Sequence, residues 1–223
     1  MLEIIDRLPS EEYAEHLLKG FGQGDVVNTL LSLVLSESSP LASSDTNKGI
    51  ILKVLNALLK RSADPELTLP PTAGIPLALQ PPAVSAPNRL HSSRTSIMSS
   101  LLSRLPDILQ ALIHTNEPTP RPPAPLDTPE ERGEVIASEP DVPPPPAPKT
   151  VQYPGHTVSS PFSSFRMNLV ELLSLLIDSE VGEIVANNIN TEHWSVLMYW
   201  LTAYPYNNIY HVLFYKIVYI VVR

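Results

Sequence analysis

Six histidines, His16, His91, His114, His156, His193 and His211, are the side chains best suited to acid–base or metal chemistry. None stands at a metal-binding interval from another histidine or a carboxylate. Glu192-His193 lacks the second histidine that a helical zinc-protease motif needs. There is no cysteine, so thiolate catalysis, disulfide scaffolds and cysteine-based zinc sites are excluded. No serine sits in a Gly-x-Ser-x-Gly elbow, and Ser174 and Ser195, inside apolar helical patterns, read as hydroxyls bonded back to their own helix. Glu171, Asp178, Glu180 and Glu183, spread over about three helical turns, read as a solvated face. GxGxxG and Walker loops are absent. No catalytic, cofactor-binding or metal-binding residue is assigned, and the expectation is a protein that is not an enzyme.

The run that does stand out is Tyr204-Pro205-Tyr206-Asn207-Asn208-Ile209-Tyr210-His211, which sets aromatics, two amides and an imidazole between two apolar helical patterns. Pro205 removes a backbone donor and disfavours helix at Tyr204, so the preceding helix stops there. Asn207 is then placed to cap the next helix, with Asn208 in its first turn. Asn208 and His211, three residues apart, share one helical face beside Tyr204, Tyr206 and Tyr210. Aromatic residues rimmed by hydrogen-bonding groups are the usual make-up of a protein-binding hot spot.

Helices must position that element. Ser10 to Phe21 reads as a short helix closed by Gly20, Gly22 and Gly24. Asp25 can cap a second, in which Val27, Leu30, Leu31 and Val34 follow the i, i+3, i+4, i+7 spacing of one face. Asp45 or Thr46 can cap a third, with Ile51, Val54, Leu55 and Leu58 on its apolar side. Thr95 to His114 continues with Met98, Leu101, Leu105, Leu109 and Leu112, and Pro106 should kink or split it. Leu169, Leu172, Leu173 and Leu176 mark a further helix, and Val181 to Ile189 a short one. Trp194, Leu197, Met198 and Leu201 mark the next, with Thr191 as its cap, and Phe214, Ile217, Val218 and Val221 the last. Ile217 to Val222 is β-branched enough for a buried strand to be the rival there. Val170, Leu175, Val196, Val212 and Leu213 lie off the main stripes, so these helices should contact neighbours on two sides.

More than half of the 25 prolines fall between Pro118 and Pro161, beside Glu130, Glu131, Glu134, Glu139 and Asp141. Such a stretch cannot bury enough apolar area to offset its ordering entropy. It also offers Thr119-Pro120, Thr128-Pro129 and Ser160-Pro161 to proline-directed phosphorylation. The organisation is therefore a helical segment 1–62, a proline-rich linker 63–94, a helix 95–115, a disordered proline-rich insert 116–161 and a C-terminal helical segment 162–223 of the same domain. A net charge of −8 disfavours a nucleic-acid partner and favours protein partners. Without a signal peptide or cysteine, the expected compartment is the cytoplasm, with the nucleus as a second one.

Phe165-Arg166-Met167-Asn168-Leu169-Val170-Glu171-Leu172-Leu173-Ser174-Leu175-Leu176, followed by Trp194 to Leu201 and the Tyr204 to His211 run, resembles the SAPS family, the regulatory subunits of type-6 serine/threonine phosphatases. Glu12 to Leu18, Val54 to Leu59 and Leu101 to Leu112 follow in the same order. Tyr206 stands where that family has tryptophan, and Ile209 and Tyr210 stand for its Phe and Leu. The resemblance implies an all-α, irregular HEAT- or armadillo-like stack of helical hairpins that binds a type 2A-like phosphatase catalytic subunit and directs its activity. It implies partner contacts at Tyr206, Asn207, Asn208, His211 and Arg166, no cofactor, and a chain that is a fragment of a longer subunit. The rival expectation is a membrane-associated helical protein, with Met198 to Val222 as a broken hydrophobic hairpin. Val212 to Val222 is about half the roughly 20 residues a spanning helix needs.

Overall fold

The computed structural model describes Gly20 and residues 24–35, 44–68, 85–115, 151–153, 156–158 and 162–223. The expected helix over Ser10 to Phe21 and the three proline-directed sites lie outside these residues, apart from Gly20. Residues 1–115 and 162–223 form one compact unit, and residues 116–161 form another. In the second unit β3 (Val151–Tyr153) pairs antiparallel with β4 (His156–Val158), with Val151 opposite Val158.

Among its described residues the first unit is all-α apart from one short ladder. Its helices are α1 (Gly24–Leu35), α2 (Asp45–Ala63), α3 (Arg94–Ser103), α4 (Leu105–His114), α5 (Ser164–Ile177), α6 (Gly182–Asn188), α7 (Thr191–Ala203) and α8 (Asn208–Val222). Three-residue strands β1 (Glu66–Thr68) and β2 (Ser85–Pro87) pair antiparallel between α2 and α3. A 3-10 turn over Arg89–Ser93 follows them. The spacing of apolar residues foretells these helices, and Ile217 to Val222 is helical rather than a strand. Their caps differ by one place. Ser44, not Asp45 or Thr46, caps α2, its hydroxyl accepting from the Thr46 amide at 3.3 Å. Asn190, not Thr191, caps α7, and Asp25 lies within the first turn of α1. Pro106 does split its segment, sitting in the first turn of α4 where its missing N–H is harmless.

Helix α5 packs against both α2 and α8, and also contacts α4 and α6. Gly49 of α2 lies against Ser164 and Phe165, so closely that a Cβ there would stand 3.1 Å from the Phe165 nitrogen. Further along, buried Asn56 donates to the Asn168 carbonyl at 2.9 Å and to Glu171 at 3.0 Å, and Lys60 pairs with Glu171. Gly49, Asn56 and Lys60 thus meet α5 in rising order, so α2 and α5 run the same way. Phe162 packs on Tyr210 and Asp178 pairs with Lys216 at 2.7 Å, which gives α8 that direction too. Helix α1 packs on α2, α3 and α4, while α4 contacts α5 and α7, and α7 contacts α8.

Asp178, Glu180 and Glu183 are exposed, as expected of a solvated face, and three of the four carboxylates also tie elements together. Glu171 reaches α2, Asp178 reaches α8, and Glu180 takes a two-pronged bond from Arg94 at the start of α3, at 3.0 and 2.8 Å. That guanidinium holds the Glu180 carboxyl below the usual range. The expected linker 63–94 also changes character. Leu90 is fully buried, and Asn88 donates to the Arg61 and Asp64 carbonyls that α2 leaves open at its end. The His91 ring lies 2.8 Å from the Ser62 carbonyl.

A Cβ on Gly182 would fall 2.0 Å from the Ile177 carbonyl oxygen, an overlap with backbone that no rotamer relieves. Gly182→Ala should therefore destabilise the chain by about 1–3 kcal/mol. The check is the midpoint of urea unfolding, where an unchanged midpoint would show that α6 does not press on the end of α5.

Candidate functional site

The Tyr204 to His211 element forms a tight turn between α7 and α8. Tyr204 closes α7 in a non-helical conformation, φ −125° and ψ 61°, as a residue before proline must. Its carbonyl accepts from the Asn207 amide at 3.0 Å. Asn207 caps α8 as the sequence foretells, its side-chain oxygen accepting from the Tyr210 amide at 3.1 Å. His211 Nε2 lies 3.2 Å from the same Tyr204 carbonyl. A carbonyl only accepts, so this nitrogen carries the proton.

Beneath the turn sits an aromatic cluster. The Phe162 ring lies 5.4 Å from Trp200, 5.0 Å from Tyr204 and 5.1 Å from Tyr210, within the range in which tilted and edge-on rings attract. Trp200 and Tyr210 are fully buried. Tyr210 donates its hydroxyl to the Leu197 carbonyl at 2.5 Å, pinning α8 to α7. Burial raises the pKa of that hydroxyl, so it remains a donor. Of the three tyrosines expected to flank Asn208 and His211 on the surface, Tyr210 is therefore interior, and Tyr204 is half-buried with its hydroxyl bonded to Arg166.

Arg166, expected at the partner surface, is half-buried and bonded within the fold. Nε and Nη2 donate to the Thr115 carbonyl at the end of α4, Nη1 donates to the Tyr204 hydroxyl at 2.8 Å, and the guanidinium lies 5.6 Å from the Trp200 ring centroid. One side chain so joins α4, α5 and α7. The outward-facing residues are Tyr206 at 72% and Ile209 at 68% relative exposure, with exposed Asn208 between them. Phe162 and Arg166 hold the element from below. Phe162 could have been found as the apolar residue just ahead of the Ser163 cap, a place that often packs against its own helix.

A cavity of about 730 Å³ is lined by Arg166 together with Asp45, Lys48, Arg104, Asp107, His114 and Phe165 among others. Arg104 pairs with Asp107 at 3.1 Å, His114 stands 3.0 Å from Gln110, and Lys48 lies over the Phe165 ring. No hydroxyl or carboxylate is set against a base in these contacts. Among the described residues there is also no group of three or more metal-ligating side chains.

His193 completes the cap of α7. Its Nδ1 accepts from the Asn190 amide at 3.1 Å while Asn190 accepts from the Glu192 and His193 amides. The ring must be neutral to accept, and burial holds its pKa below the ordinary 6.5. The unfolded chain takes up this proton near pH 6.5, and the folded chain does so only at lower pH. The contribution of His193 is thus complete above about pH 6.5 and is lost as the pH falls towards the folded value. In His193→Gln, whose amide can fill the same capping place, urea stability should depend less on pH between 6.5 and 5 than in the native chain. An identical slope would remove His193 as its source.

No family model matches the chain, and neither a curated protein nor a solved structure is detectably similar to it, so the site stands on its own geometry.

Proposed function

We propose that this chain is a non-catalytic regulatory or scaffold subunit that binds a serine/threonine phosphatase catalytic subunit, type 2A-like or type 6, and directs its activity. It would belong with the SAPS proteins that its sequence resembles and work in the cytoplasm, with the nucleus as a second compartment. Helices α2, α5 and α8, which run the same way with α2 and α8 both packed against α5, support an irregular HEAT- or armadillo-like stack.

The observation that carries the reading is the Tyr204 to His211 turn. Its backbone is fixed by the Asn207 cap, the contact of His211 with the Tyr204 carbonyl and the Arg166 bridge, while Tyr206 and Asn208 face outward. A rigid aromatic beside an amide loses little freedom on binding, which is what a hot spot requires. Asn207 and His211 act here by holding that shape.

Affinity capture with the tagged full chain should recover a type 2A-like phosphatase catalytic subunit. Tyr206→Ala with Asn208→Ala should weaken recovery at least tenfold and leave helical circular dichroism unchanged. Capture that is unaffected by both substitutions would move the contact elsewhere, and no phosphatase at all would end the proposal.

The membrane-associated reading keeps one observation in its favour, the apolar outer side of α8. Among the described residues no helix is long and apolar enough to cross a membrane. Carbonate extraction decides, since a scaffold subunit leaves the pellet and an inserted hairpin stays in it.

A further inference from the structure

Phe214 and Ile217 turn the inner face of α8 to α5, and the opposite face carries a second stripe of quite different standing. Asn208, Val212, Tyr215, Tyr219 and Val222 follow one another at intervals of four, three, four and three residues. That is the a/d spacing of a helix seam that meets another helix. All five are exposed, Val212 at 67%, Tyr215 at 60%, Tyr219 at 66% and Val222 at 79%. The sequence led to the expectation that Val212 would be covered, and no described residue covers it.

We infer that this stripe is a self-association surface, on which a second copy of the chain lays its own α8 antiparallel. The occupant is argued from charge first. The chain carries −8, so most approaches of one copy to another bring like charges together, yet α8 contains no carboxylate and its Lys216 is paired with Asp178. The stripe is also self-complementary. A twofold axis near Tyr215 sets Val212 of one copy against Tyr219 of the other, a small side chain against a large one, with Tyr215 against Tyr215 at the axis and Asn208 against Val222, and no charge meets its like. A parallel arrangement would instead put Arg223 beside Arg223 and the two helix N-termini together.

Fully buried aromatics contribute about 150–250 Å² each, so the uncovered parts of Tyr215 and Tyr219, with Ile209, Val212 and Val222, supply several hundred Å² per copy. Specific interfaces bury about 800 Å² per partner. The patch is smaller than that and calls for a weak, concentration-dependent dimer. This goes beyond the phosphatase reading and shares only Asn208 with it. Tyr219 is about three helical turns from Asn208, so the two ideas fail separately.

Light scattering on the full chain, eluted from a sizing column at tens of micromolar, should give twice the 24.5 kDa chain mass. Tyr219→Glu and Val212→Lys, both at exposed positions, should each leave circular dichroism unchanged and weaken self-association at least tenfold. Mixing the two variants should restore a dimer, because the antiparallel axis places the introduced lysine of one opposite the introduced glutamate of the other. A native chain that is monomeric under these conditions would overturn the inference, as would a dimer indifferent to both substitutions. Failure of the mixture to pair would overturn the antiparallel register. A monomer that instead sediments with phosphatidylcholine–phosphatidylserine vesicles would also overturn it and assign the face to lipid.

Discussion

Helix α5 packs against both α2 and α8, and eight of its fourteen residues are buried. Its neighbours come close because Gly49 leaves room for the Ser164–Phe165 backbone, and the contact is then keyed by Asn56 donating to the Asn168 carbonyl and Glu171. Removal of a buried leucine such as Leu172 or Leu176 from such a helix costs about 2–5 kcal/mol, a large share of the total stability of a small domain. The direction of α2 and α8, the reach of Asp178 to Lys216, and the seat of Phe162 under the aromatic cluster all follow from where α5 sits.

The candidate surface inherits its rigidity from that helix. Arg166 and Phe162, at the start of α5, hold Tyr204, Trp200 and Tyr210 from below, and the cap at Asn207 fixes the turn from within. Only then does the outward direction of Tyr206 and Asn208 have meaning, because a side chain on a mobile turn would lose on ordering what it gained in contact. The outer side of α8 carries a second apolar feature along the same helix. One element thereby faces two ways, inward to α5 and outward from its N-terminal turn along its length.

The helices themselves are legible from local spacing, since an apolar residue every three or four positions is a property of a few turns of chain. The Asn207 cap is equally local, because Pro205 fixes the boundary beside it. At α2 and α7 no proline does so, and Ser44-Asp45-Thr46 and Asn190-Thr191 each offer adjacent capping residues that only the backbone conformation separates. The roles of Glu171, Asp178, Glu180 and Arg166 are not local at all. Lys60 is 111 residues from Glu171, Arg94 is 86 from Glu180, and Thr115 is 51 from Arg166. Charged side chains at helical spacing look solvated until the fold brings their partners to them. The same holds for Asn88 and Leu90, which proline-rich surroundings made look like linker.

The central claim is that a turn held rigid by α5 is the surface a phosphatase catalytic subunit meets. Amide hydrogen exchange of the full chain, alone and with a type-6 catalytic subunit, tests it most directly. The account predicts slowest exchange in α5 in both states, and new protection on binding across Tyr206 to His211. Protection confined to other helices, or an α5 that exchanges as fast as the helix ends, would contradict it.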